Sequence, residues 1–388
     1  MRRYFNFHKR IVPVVNDPCL QAHATRLMKL SHRSRMHAVL RCSPIAALFF
    51  LTSLGWSETW ANRSERVTET ERVSAGEVIA VKPANFDAPW PKKVSFNGDP
   101  EIRTIKQDKD NNCFIYESAN YRFVCDVRLS QSVVRGFAVM FEASHLYCRE
   151  LPLGLSGGEK IDGKYQIILF EKEEDYNKAG GPSGSSGVFI GAKSTVIVPL
   201  TSLGVRPVGS SYMLDRDKAN QTLIHEITHQ LTPVEYFKSG AVGWFSEGIA
   251  EYVTATPYRN GTFKVVSNFD DICAYVIDFG KGERGGRALG KSVRMPPLKE
   301  FFMMDYDDFT GSKANFNYGI ALVLTTYFLH LDGEGDSARM KKFLAALRDG
   351  KSGQDALDTL LDGRGYEDLE KSITKAWKRK GLEIKFAN

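Results

Sequence analysis

The residues of this chain best equipped for chemistry are His225-Glu226-Ile227-Thr228-His229. On a helix, positions i and i+4 lie on one face about a turn apart, so His225 and His229 can offer two imidazoles to one metal ion. Glu226 stands beside the first imidazole, where a carboxylate can take a proton from an activated water. A catalytic zinc needs a third protein ligand and one position left open. Glu247 follows His229 by 18 positions. That interval suits a helix end, a loop and the start of a second packed helix, so Glu247 is the expected third ligand. Gly248 lets the backbones approach closely, and Glu251 lies one turn beyond Glu247 on the same face. There it can accept a hydrogen bond from a ligand imidazole and fix its tautomer. The bland alternatives are a chance pair of surface histidines and a solvated acidic helix face.

Two helices must carry these residues. The first is expected over about 217–231, opened by Asp215 or Asp217 and stopped by Pro233. The second is expected over 244–255, ending before Pro257, with a loop over 232–243 between them. Upstream, 114–117 and 121–127 read as paired strands. Val133, Val134, Phe137, Phe141 and Leu146 give 130–149 a helical period. Further strands are expected at 165–170 and 195–200, the latter as the sheet edge against which an extended peptide would pair. Residues 179–191 form a glycine-rich loop without a phosphate-loop signature. Residues 258–300 read as irregular, with a strand at 262–267. Helices follow at 315–332, 337–348, 353–361 and 366–378, punctuated by Gly333, Gly350 and Gly363. The pattern of elements is α+β.

His225-Glu226-x-x-His229 followed by Trp244-x-x-Glu247-Gly248-x-Ala250-x-Tyr252 resembles the gluzincin group of zinc metallopeptidases, and most closely the peptidase MA-like families. The motifs carry this resemblance over about 218–256. It implies a zincin-like mixed sheet with the active-site helix beneath it, a mostly helical C-terminal lobe, and a cleft between them. It implies Zn2+ held by His225, His229 and Glu247, with Glu226 as general base and Glu251 orienting the first histidine. Related enzymes take an oxyanion donor from the helical lobe, which points to Tyr318, with His330 and Tyr327 behind it. Aligning Ala321-Leu322-Val323 with the aminopeptidase pattern puts Phe316 at the tyrosine position instead. The implied activity is peptide-bond hydrolysis, with a peptide or protein as substrate. The rivals are a catalytically silent zinc module that binds peptide or cell wall, and a zinc hydrolase of a non-peptide amide. No G-x-M-E-N stretch precedes the motif, which argues against aminopeptidase activity.

Hydrophobic residues make up 43% of the 388 and charged residues 25%, which places the chain among globular proteins. Its net charge of +6 is misleading. Residues 1–61 hold nine Lys/Arg and two acids, a local +7 that leaves 62–388 at −1, so no nucleic-acid partner follows. Arg41, the short apolar run 44–56 and Thr59-Trp60-Ala61 have the tripartite form of a secretory signal. The run is too short for a membrane span, which needs roughly 20 residues. Met36 is then the expected start, about 36–61 the signal, and the destination secreted or periplasmic. A basic arm with a buried helix is the alternative. Cys113, Cys125, Cys148 and Cys273 would remain, open to two disulfides or to free thiols. The organisation expected is a basic segment and signal (1–61), an extended lead-in with one short strand at 78–82 (62–112), a catalytic core (113–256) and an irregular insert with a helical lobe (257–388).

Overall fold

The computed structural model describes residues 86–218, 222–265, 268–278 and 286–387. The signal segment and the short strand expected at 78–82 lie outside them. In chain order the strands are β1 (Lys93–Ser95), β2 (Arg103–Asp108), β3 (Cys113–Glu117), β4 (Tyr121–Cys125), β5 (Tyr165–Phe170), β6 (Val188–Ile190), β7 (Thr195–Pro199), β8 (Val205–Val208), β9 (Ser211–Leu214), β10 (Tyr258–Arg259), β11 (Thr262–Lys264), β12 (Ser292–Met295) and β13 (Glu383–Phe386). The helices are α1 (Gln131–Glu150), α2 (Glu173–Lys178), α3 (Leu223–Leu231), α4 (Trp244–Ala255), α5 (Phe269–Ile277), α6 (Leu298–Phe302), α7 (Tyr306–Phe309), α8 (Ala314–His330), α9 (Ala338–Arg348), α10 (Gly353–Leu361) and α11 (Tyr366–Lys378).

A six-stranded mixed sheet in the order β2-β3-β4-β5-β7-β6 carries the α+β fold. The β4–β5 and β5–β7 pairs are parallel, and the others antiparallel. Strands β5 and β7 are apolar almost throughout because both their faces are covered. Ile167, Leu169, Val196 and Val198 join the main core with Phe137 and Phe141 of α1 and Ile224 and Ile227 of α3. Phe170 and Ile197 point the other way and pack with Tyr176 of α2. That two-residue alternation fixes which face receives the motif helix.

The sheet edge is not where the sequence placed it. β7 lies between β5 and β6, so the 195–200 strand is interior and β6 is the edge. The end of the glycine-rich stretch turns back and pairs Val188 with Ile197 and Ile190 with Thr195. A helix at 130–149 is borne out by α1, whose Ser130 hydroxyl accepts from Val133 N at 3.3 Å. Helix α3 begins at Leu223, later than expected. Asp215 and Asp217 do not cap it. Asp215 Oδ1 instead accepts from Asp217 N, next to a separate turn at Arg216–Lys218.

Helix α4 matches its expected span, and all twelve of its residues are buried. It crosses α8 at Gly248, where a Cβ would stand 2.5 Å from the carbonyl oxygen of Ala321 and closer still to Thr325 Oγ1. The C-terminal region is mostly helical, α8 to α11, closed by a parallel β12–β13 pair. The stretch 258–300 holds more order than its sequence suggests, including α5 and β12. Cys125, Cys148 and Cys273 are free, which excludes two bridges among the four candidate cysteines. Burial pushes the Cys148 thiol up to about 12, so it is inert at neutral pH.

Candidate metal centre

The motif helix is pinned before it presents anything. Gln230 Nε2 donates to the carbonyls of Gln166 at 2.8 Å and Ser194 at 3.1 Å, tying α3 to the starts of β5 and β7. Pro233 follows its last turn, and Thr232 N closes that turn on the Thr228 carbonyl at 3.0 Å. The helical spacing then brings His225 and His229 together, with Nε2 atoms 2.9 Å apart. Glu247, in the first turn of α4, places Oε2 at 3.1 Å from each of them. All three side chains are largely buried.

This triangle has the composition of a metal site. Ligands at about 2.0–2.2 Å from a tetrahedral ion would lie roughly 3.3–3.6 Å apart, and the observed edges are only slightly shorter. His225 Nδ1 lies 2.9 Å from Glu251 Oε1. A neutral imidazole that donates there has its acceptor lone pair on Nε2, facing His229 and Glu247. With His229 Nε2 and Glu247 Oε2, three atoms able to ligate a metal converge in a largely buried space, an arrangement suited to a cation. Formal charge agrees: the site gathers the carboxylates of Glu226, Glu247 and Glu251, of which Glu251 is paired with Arg287, and the excess of two negative charges suits a divalent ion. His225, Glu247 and His229 form a group that could hold a metal ion.

The surrounding contacts fix the donors. Burial works against ionising Glu251, but Arg287 and His225 outweigh it and hold the carboxyl down at about 2. Arg287 forks onto it, Nε to Oε2 at 2.7 Å and Nη2 to Oε1. Burial likewise opposes a charge on His225. With no cation to compete, the Glu247 and Glu251 carboxylates prevail and raise it to about 10; a metal ion at Nε2 would displace that proton and leave the neutral, Nδ1-protonated ligand. Glu247 is held well below the carboxylate range by His229 and His225, against the cost of burial. Its second oxygen, Oε1, accepts from the Tyr306 hydroxyl at 2.8 Å.

Glu226 points to the sheet edge, where its Oε2 accepts from Phe189 N of β6 at 2.8 Å. Tyr318, one turn into α8, sets its ring 6.0 Å from that of His225, and the Arg287 guanidinium lies over the same ring, 4.8 Å from its centroid. Burial first, then Glu247, Glu226 and Glu251, push its phenol well above 10, so it stays protonated. No protein-family model and no curated protein matches this chain. The group is thus defined by its geometry.

The other two tyrosine-region candidates sit elsewhere. His330 is twelve residues beyond Tyr318 on α8, roughly 18 Å along the axis. Its Nε2 pairs with the Tyr252 hydroxyl at 2.7 Å, and its ring lies 4.7 Å from Trp90. Tyr327 donates to Asp332 Oδ1 at 3.1 Å. Sequence reasoning missed Arg287, Tyr306 and Phe189. Only Tyr306 had a local signal: Asp305 caps α7 by accepting from Asp308 N at 2.8 Å, an Asp at a helix start. Among the described residues no helix is long and apolar enough to cross a membrane.

Proposed function

We propose that this chain is an exported zinc metallopeptidase of gluzincin type, with residues 36–61 as its secretory signal. The observation that carries this reading is the meeting of three buried acceptor atoms with a fourth, distinct carboxylate, Glu226, one residue from the first of them. A group that only stored a metal would have no use for that carboxylate. In this reading His225, His229 and Glu247 hold zinc, and the ion when bound supplies Lewis acidity to a water and to the scissile carbonyl.

The chain's own residues do the rest. Glu226 takes a proton from water on a carboxylate oxygen and delivers it to the leaving amine. The Phe189 amide holds its Oε2 and so sets the plane of the carboxylate. Glu251 keeps the proton of His225 on Nδ1, with Arg287 holding Glu251 ionised. Tyr318 donates its phenolic proton in a hydrogen bond to the developing oxyanion. An extended peptide lies along β6, the outermost strand of the sheet among the described residues.

The test is hydrolysis of a broad peptide library by wild-type protein and by Glu226→Gln, with zinc content measured in both. Wild-type activity and a loss of roughly 100-fold or more in the variant at equal zinc is the expected outcome. Equal activity, or none in the zinc-loaded wild type, would sink the peptidase assignment.

A further inference from the structure

Glu247 is anchored by both of its oxygens, and the two anchors differ. Oε2 faces the two imidazoles at 3.1 Å, and Oε1 accepts the Tyr306 hydroxyl at 2.8 Å. The short helix that bears Tyr306 is fixed from three sides. Asp305 caps it. Asn317 Nδ2 of α8 donates to the Phe309 carbonyl at 2.7 Å. The Phe309 ring presses on Gly243, where a Cβ would come within 2.8 Å, at the residue that precedes α4. The hydroxyl is thus referenced to both helices that build the site, α4 and α8.

A carboxylate can bind a cation through one oxygen or through two. An oxygen already accepting a hydrogen bond from a phenol is a poorer second ligand, because the bond takes one of its two lone pairs, lowers its basicity and fixes its position. We propose that Tyr306 is the positioning residue that keeps Glu247 a one-oxygen donor, and so keeps a coordination position free for substrate. This rests on reading His225, His229 and Glu247 as metal ligands, but not on peptide hydrolysis. It also separates two nearby phenols. The Tyr306 hydroxyl is committed to Glu247, and it is the phenol of Tyr318, whose ring lies 6.0 Å from that of His225, that is left for the oxyanion.

A hydroxyl that merely satisfied a buried oxygen would affect stability and leave coordination alone. The test therefore reads the metal. Cobalt(II) is bound to wild-type protein and to Tyr306→Phe, and the visible d–d absorption is recorded, which is intense for four ligands and weaker for five. Zinc-loaded samples give the number of ligand oxygens by X-ray absorption. Tyr306→Phe is expected to lose absorption intensity, gain one ligand oxygen, and bind metal ~10–100-fold more weakly. An unchanged spectrum and ligand count in Tyr306→Phe, whatever its affinity, overturns the role of Tyr306 and leaves the metal centre standing. Failure of wild-type protein to bind cobalt or zinc removes the centre itself, and the proposal with it.

Discussion

Replacing Gly248 with alanine probes the contact that sets α4 against α8, and with it the position of Glu247. Two effects oppose each other. Alanine is favoured over glycine inside a helix by about 1 kcal/mol. Against this, the new methyl would stand 2.5 Å from the Ala321 carbonyl oxygen and nearer still to Thr325 Oγ1. Thr325 could rotate, but a backbone carbonyl in mid-helix cannot. Ordinary contact begins near 3.4 Å, so the helices must part by about 0.9 Å. Overpacking of this kind costs about 1–3 kcal/mol, and a backbone clash belongs at the upper end. The expected net effect is a loss of about 2 kcal/mol, measured by urea unfolding of metal-free protein. Gly248→Ala combined with Thr325→Ala is expected to recover less than half of it, because the carbonyl clash remains. Glu247 is the neighbouring residue, so zinc affinity should fall in step. A variant as stable as wild type, or more stable by the helix-propensity gain, would refute the close approach.

Glu251→Ala strands the guanidinium of Arg287, which is 20% exposed. It is expected to cost about 3 kcal/mol, the low end for a broken buried pair. It should also weaken zinc binding roughly 10–100-fold. Adding Arg287→Met should restore stability in denaturant titrations but not affinity; restored affinity would contradict the orienting role of Glu251. Burial, with a smaller push from Lys160 and Arg149, holds His145 down to about 4, and burial alone does the same to His330. An unfolded histidine titrates near 6.5. Both histidines therefore contribute fully above pH 6.5, and stability is lost as pH falls toward 4, where the unfolded chain takes protons that the folded chain refuses. The shift of His145 amounts to about 3 kcal/mol across that window. Unfolding of metal-free protein at pH 7 and pH 4.5 should show a smaller drop for His145→Gln than for wild type; equal drops would refute its neutral burial.

Much of this molecule was legible because its signals are local. Helix α4 ends where Pro257 demands it, α10 begins at Gly353, and α11 begins directly after Gly365. The pairing of His225 with His229 follows from helical spacing alone. What escaped is set by long-range pairing. Val188–Ile190 is a strand only because β7 lies beside it, and nothing in a glycine-rich stretch announces that. β7 itself carried a signal that argued against an edge: its run of Thr195, Val196, Ile197 and Val198 is apolar on both faces, as an interior strand requires. Arg287 and Tyr306 meet α4 from 36 and 59 residues away, through segments with no periodicity to mark them. β1 finds β11 across a still longer separation, Val94 facing Phe263.

The most direct measurement is a competitive zinc titration of metal-free wild-type protein and His229→Ala. His229 is well placed for this, because its Nε2 meets both His225 Nε2 and Glu247 Oε2. One tight equivalent in wild type, lost or greatly weakened in His229→Ala with the fold intact, is the expected result. No binding by wild type, or undiminished binding by the variant, would contradict a metal centre at His225, His229 and Glu247.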